Sequence, residues 1–195
     1  MKYKNIISNS NQIIKGPLEI MPEKFCDERG YFLETWNQSK FNNCLKKEIA
    51  FVQDNESMSR KNVLRGLHFQ KNPNAQGKLV SVTKGTIYDL IVDLRKDSPT
   101  FCKWAGIELN EDSNNQLWVP IGFAHGFITV SEIAHVRYKT TNYWSSINER
   151  CLNWNDRDLN INWQISKYNL DKPIVSIKDS KASSLNELNA KGDLF

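Results

Sequence analysis

The sequence is short of histidine and of paired cysteine. Only three histidines occur, and the four cysteines, at positions 26, 44, 102 and 151, form no CxxC pair. Four thiols can close two disulfides in a secreted protein, but a chain of 195 residues buries enough core to fold without such staples. No window comes near the ~18 continuous apolar residues of a membrane span. The first residues, MKYKNIISNSNQII, are positively charged yet hold no apolar run of the length a secretory signal requires. A soluble, cytoplasmic protein is therefore expected. Low-complexity tracts and internal repeats are missing as well, so neither disorder nor a solenoid is indicated. Charge of one sign is not concentrated anywhere. The net charge of +4 comes from Lys and Arg spread along the whole length, which supports an acidic ligand weakly and nucleic acid poorly, since the latter favours a dense basic stripe.

What is present is a β-rich pattern. The 39% hydrophobic and 25% charged residues are globular proportions, and the six Trp, six Tyr and nine Phe can serve a core or stack on flat or pyranose rings. From residue 17 to about 141, short runs of β-formers succeed one another: PLEIMP, YFLETW, IAFVQDN, NVLRGLHF, KLVSVTKG, TIYDLIVDL, CKWAGIEL, QLWVP, HGFITVS and AHVRYKT. Turn segments such as KNPNAQG and RKDSPT part them at fairly regular intervals. That spacing predicts antiparallel strands in a sandwich or barrel, not βαβ units. One segment, NQSKFNNCLKKE, reads as a helix, with Phe41 and Leu45 four apart and basic residues near its end. After Trp163 the pattern loosens into a loop followed by a short helix packed on the body. No domain boundary is visible. The expectation is one domain over 1–195, with a barrel core at about 17–145 and a C-terminal segment over 146–195.

The stretch VLRGLHFQ, residues 63–70, poses the chemical question. Val63, Leu64, Leu67 and Phe69 are ordinary strand residues, yet Arg65 and His68 stand among them, three apart. Strict alternation puts those two on opposite faces, unless Gly66 hosts a bulge that turns both inward. A second signature is PIGFAHGF, in which Pro120, Gly122 and His125 have the PxGxxH spacing of the second cupin motif. There the Pro-Gly bend sets the turn and the His enters the barrel from the following strand. The first cupin motif needs HxH and then a Glu. Here His68 is followed by Phe69 and Gln70, and GKLVSVTKG supplies no Glu, so too few ligands remain for a dedicated metal site. Polar groups inside the barrel must then act directly, and Arg65, His68, Lys78, His125 and Tyr138 lie on neighbouring strands. Each has a plainer reading too: a satisfied core histidine, or cross-strand packing for Tyr138 in HVRYKTT.

These features extend over nearly the whole chain, from about Ile20, as ordered blocks: FCDERGYFLETWN, FVQDNESMSRKNVLRGLHFQ, NAQGKLVSVTKGTIYDLIVDLRKDSPTF, QLWVPIGFAHGF, RYKTTNYW, LNWND and SIKD. Together they resemble the dTDP-4-dehydrorhamnose 3,5-epimerases, metal-free cupins that act on nucleotide-linked sugars. The resemblance implies a mainly β, cupin-type jelly-roll barrel with a few short helices, and no cofactor. It implies that His68 is the base beside the C4 ketone and that Asp179 holds and polarises its imidazole. Lys78 faces the C4 oxygen, and Tyr138 is the acid on the opposite face of the ring. It also implies that Arg65 and His125 lie close to the sugar and its diphosphate. Arg29, Glu34, Gln53, Asn55, Glu149 and Lys178 align with groups that grip the nucleotide or phosphates. A solvated face or hairpin ion pair is the plainer reading of Arg29, Glu34 and Glu149. In this family the enzymes are homodimers whose N-terminal segment reaches into the partner's site; no nucleic acid and no membrane are implied.

Two departures from the family pattern stand out. Trp144 follows Tyr143 where many members carry a second Tyr, and QISKYNLDKPIVSIKD is longer than usual, which loosens the match at Asp179. Relatives with the same acid–base pair act on GDP-linked heptoses, and some invert one carbon only. Two readings from other classes compete: a sugar-nucleotide-binding cupin without turnover, which predicts loss of the base or the acid, and a metal-dependent cupin, which predicts three ligands converging on one ion.

Overall fold

The computed structural model describes residues 1–195. Its elements are β1 (Lys2–Ile7), β2 (Ile13–Met21), β3 (Lys24–Asp27), β4 (Gly30–Leu33), α1 (Gln38–Leu45), β5 (Gln53–Arg60), β6 (Leu64–Gln70), β7 (Lys78–Lys84), β8 (Thr86–Asp93), β9 (Trp104–Asn110), β10 (Gln116–Val119), β11 (Phe123–Thr129), β12 (Ile133–Thr140), β13 (Glu149–Cys151), α2 (Ile177–Ser180) and α3 (Leu185–Ala190). A six-stranded sheet in the order β1-β2-β10-β7-β12-β5 faces a five-stranded sheet in the order β13-β6-β11-β8-β9, and β3-β4 forms a separate hairpin. The pairings within all three sheets are antiparallel. The spacing of the runs predicts such an antiparallel sandwich or barrel, and the resemblance implies its cupin type.

Three apolar clusters hold the layers together. Val80, Val82, Ile87, Ile91, Leu117, Phe127 and Val136 meet between the sheets. On the far side of the five-stranded sheet, Leu64, Leu67, Phe69, Leu90 and Val92 are covered by Leu159, Trp163, Leu185 and Leu188 of the C-terminal segment. β8 is therefore buried on both faces, which is why TIYDLIVD reads as an almost unbroken apolar run. The far side of the six-stranded sheet carries Leu18, Ile20, Leu79 and Trp118 under Phe41 of α1. The helix starts at Asn37, whose side chain accepts from Lys40 N, as an N-cap should.

The sheets extend beyond the expected 17–145 range. β1 and the first half of β2 precede it, and β13 follows it. β1 escaped the pattern because it is an edge strand with Ile6 as its one buried residue, so alternation is not imposed on it. Within IAFVQDN, strand begins only at Gln53 and continues to Arg60. Phe51 instead joins an aromatic cluster with Trp36, Phe41 and Trp118. No helix is long and apolar enough to cross a membrane.

Candidate active site

The bulge anticipated at Gly66 exists. His125 pairs with His68 and Phe127 with Arg65, so Gly66 and Leu67 together oppose the single residue Gly126. Gly66 has φ +117°, and a Cβ there would lie 2.7 Å from Gly126 Cα, so the approach needs glycine on both strands. In a regular strand, Leu67 and Phe69 would leave the outer core and His68 would enter it, at roughly 1.5–3 kcal/mol for each large side chain exposed. The extra residue keeps both in that core and aims Arg65 and His68 into one cavity. Arg65 is not buried there. It stays exposed at the mouth, donating from Nε to Ser59 Oγ at 2.9 Å and from Nη2 to Met58 O at 3.2 Å.

That cavity, about 440 Å³, is lined by Lys78 from β7, His125 from β11 and Tyr138 from β12 as well, with Lys178 and Asp179 arriving on α2. His125 follows the Pro-Gly bend, where Gly122 has φ +99°. Ser176 caps α2, and this short helix carries the buried Asp179 to His68, Nε2 to Oδ1 at 2.6 Å. Burial opposes ionisation of Asp179, but the hydrogen bond and charge of His68, with smaller help from Ser176 and Cys151, hold the carboxyl below its usual range. An ionised Asp179 accepts the Nε2 proton, so the neutral ring it selects has its lone pair on Nδ1.

Burial pushes the Lys78 ammonium down to about 8, against the opposing pull of Asp89 and Glu149. Its Nζ is 3.4 Å from His68 O. Burial raises the Tyr138 phenol, Glu149 adds to this and Arg65 opposes it, so the group keeps its proton at neutral pH. Glu149 is not a solvated residue: its side chain is 18% exposed and pairs with Lys178 Nζ at 2.5 Å.

Other expected residues lie further out. Asn55 stands opposite Tyr138 on β5, and Gln53 donates to Asn55 Oδ1 at 2.9 Å while accepting from Trp144 N at 3.1 Å. Arg29 and Glu34 are not brought to the cavity within this chain. Arg29 pairs with Asp27 at the exposed tip of the β3-β4 hairpin, and Glu34 pairs with Lys40, so for both the local ion pair is what the structure contains. A larger hollow, about 530 Å³, includes Asn55 and Tyr138 but is lined by none of His68, Lys78 and Asp179. His68, Lys78, Tyr138 and Asp179 converge in the smaller one.

Two further residues belong to the cavity's hydrogen-bond network. Asp89, fully buried on β8, holds His125 Nε2 at 2.6 Å. Its signal was a carboxylate inside TIYDLIVDL, in phase with the inward Ile87 and Ile91. Cys151 on β13 places Sγ 3.5 Å from Asp179 Oδ1. Burial, then the charge of Asp179, pushes this thiol up to about 12, so it is a protonated donor. Nothing in the sequence linked Cys151 to the site. The two cavity histidines thus each have Nε2 on a carboxylate of their own.

The cupin barrel thus gathers a carboxylate-held imidazole, a buried ammonium and a protonated phenol in one cavity. The family model described as dTDP-4-dehydrorhamnose 3,5-epimerase matches residues 11–187. The dTDP-4-dehydrorhamnose 3,5-epimerase of Salmonella typhimurium is 48% identical over 174 residues, covering 89% of this chain and 93% of that protein. Among solved structures, the enzyme of that name from Bacillus anthracis, with TDP and PPi bound, is 44% identical with a TM-score of 0.82 and covers 94% of this chain and 100% of its own. The dTDP-6-deoxy-D-glucose-3,5-epimerase of Legionella pneumophila, in complex with dTDP-4-keto-L-rhamnose, is 38% identical with a TM-score of 0.87 and covers 99% and 97%. The chain belongs to the dTDP-4-dehydrorhamnose 3,5-epimerase family, whose members are isomerases.

Proposed function

We propose that the protein inverts C3 and C5 of a dTDP-linked 4-keto-6-deoxy hexose, converting the dTDP-4-dehydro-6-deoxyglucose type into the dTDP-4-dehydrorhamnose type. The carrying observation is the convergence of His68 on Asp179, Lys78 and Tyr138 on one cavity from four separate elements. The C4 ketone acidifies the hydrogens on both neighbouring carbons, so no redox cofactor enters the scheme. His68 Nδ1 takes one proton, and Asp179 steadies the imidazolium that results. Charge moves onto the C4 oxygen, where the Lys78 ammonium meets it. Tyr138 then gives its phenolic proton to the carbon from the far face, which inverts it. Arg65 and Lys178 at the cavity supply charge-assisted donors suited to a diphosphate, and His125, held by Asp89, adds a ring nitrogen.

The same reading makes the active unit a homodimer. The β3-β4 hairpin exposes Phe25, Tyr31 and Phe32 by 55%, 60% and 70%, an apolar surface that a second copy can cover. Arg29 at its tip would then enter the partner's site.

Counting deuterons tests the function. Incubated in deuterated water with a dTDP-linked 4-keto-6-deoxy hexose, the protein should place two deuterons, at C3 and C5. A single deuteron would make it a mono-epimerase, and uptake only into a GDP-linked sugar would transfer the reading to that donor. No uptake into either would overturn it in favour of a binding protein. The Lys78 ammonium also sets a pH limit. Because the cation is the useful form and its pKa lies at about 8, kcat/KM should fall as pH rises through that region. Lys78→Met should remove this decline and cost about 10²–10³ in rate; a wild-type profile with no decline would remove Lys78 from the role.

A further inference from the structure

Beside the His68–Asp179 pair stands a third donor that the proton transfer does not use. Cys151 is the register partner of His68 on the neighbouring strand, and its Sγ approaches the same Asp179 oxygen that holds Nε2. The ligand atoms of His68, Cys151 and Asp179 all lie within 4.8 Å of one another. One imidazole nitrogen, one sulfur and one carboxylate oxygen form a ligand set for a thiophilic divalent cation rather than for Mg²⁺ or Ca²⁺. A tetrahedral Zn²⁺ with ordinary bond lengths needs ligand–ligand edges of about 3.3–3.6 Å. The sulfur–oxygen edge is 3.5 Å already. The nitrogen–oxygen edge is 2.6 Å, so it must open by roughly 0.7 Å to reach tetrahedral geometry. Opening of the nitrogen–oxygen edge falls on Asp179, which rides on the short α2, while the nitrogen–sulfur edge, at most 4.8 Å, closes by side-chain rotation of Cys151 and His68 on their paired strands. The His68 side chain keeps 29% exposure toward the cavity, which gives an ion a way in. This set differs from that of a metal-bearing cupin, since the histidine of PIGFAHGF is held by Asp89 and takes no part.

We propose that His68, Cys151 and Asp179 form an inhibitory site for a thiophilic divalent cation, with Zn²⁺ as the type. The inhibitory consequence rests on His68 being the base; the binding does not. On binding, the Sγ–H proton leaves for solvent as the metal–sulfur bond forms. The ring gives up its Nε2 proton to solvent and takes another on Nδ1, remaining neutral overall. Nδ1 is the nitrogen that must be bare to accept a proton from the sugar, so the loaded protein has no base. The ion thereby switches off turnover without occupying the sugar's own place.

Cadmium gives a direct readout, because a thiolate–Cd²⁺ bond adds a charge-transfer absorption in the ultraviolet. Substrate-free protein titrated with Cd²⁺ should develop this band with one equivalent. Cys151→Ala and Cys151→Ser should each abolish that equivalent, while Cys26, Cys44 and Cys102 remain as internal controls. In parallel, saturating Zn²⁺ should slow deuterium exchange into the sugar more than tenfold, reversibly on adding EDTA, and Mg²⁺ should not. Measured against each variant's own metal-free rate, Cys151→Ala should be at least tenfold less sensitive to Zn²⁺. A band that persists undiminished in both variants, or equal Zn²⁺ sensitivity with and without Cys151, would overturn the site. If no sugar nucleotide exchanges at all, the epimerase reading fails, and the Cd²⁺ titration still decides the metal site.

Discussion

His68→Asn should lower solvent-deuterium incorporation by about 10³-fold, within the range of a lost general base. A companion substitution isolates chemistry from folding. The Asn amide stops near the Nδ1 position, so His68→Gln is that companion: its amide reaches the Nε2 position and can donate to Asp179, which keeps the buried carboxylate paired. Gly66 and Gly126 set the local backbone and neither is touched. The His68→Gln variant should therefore melt near the wild-type Tm, and both variants should still bind a dTDP-linked sugar, since the groups assigned to the diphosphate are elsewhere in the cavity. What both lack is a basic nitrogen lone pair next to the acidified carbon. The Asn oxygen is far too weak a base, and Lys78 is needed as a cation. Rapid deuterium uptake by a folded His68→Asn protein would move the base to another residue, with His125 the obvious alternative because it too is held by a carboxylate.

Much of this arrangement was legible in the residues, for identifiable reasons. Runs such as the half-buried KLVSVTKG and the buried HGFITVS are bounded by turns, so their strand character is written in β-formers and punctuation. Edge elements are not: β1 buries one residue, and β13 has three, too few for any period. His68 and His125 were visible through rarity and through the glycine and proline beside them. Gly66 pointed to a bulge, but only the pairing of β6 with β11 fixes which residues it turns inward. The carboxylate partners were harder. Asp179 follows a long loop, and only the resemblance linked it to His68, because a contact across 111 positions has no local signature. Cys151 reaches the same carboxylate through strand pairing alone. Arg29 marks the opposite limit: within one chain it has an ion pair with Asp27 and nothing more, so any role at a site requires a second molecule.

Tyr138→Phe should separate exchange from inversion. The base can return the proton it removed, and because His68 remains open to the cavity that proton can be replaced by solvent deuterium first. Exchange should fall less than tenfold. Inversion needs a donor on the other face, and a benzyl ring has none, so epimerised product should fall by about 10²–10³-fold, as for a lost general acid. Packing offers no competing explanation, since Phe preserves the ring and the phenolic oxygen makes no hydrogen bond within the chain. The raised phenol pKa makes the same point from the other side: a group that holds its proton to high pH is stocked to donate at neutrality, not to abstract. Proton NMR in deuterated water distinguishes the cases directly, because deuterated but uninverted sugar accumulates only if removal and far-face return are handled by different residues. Loss of exchange and inversion in equal measure would instead assign Tyr138 to binding, and the two-faced scheme would need another acid.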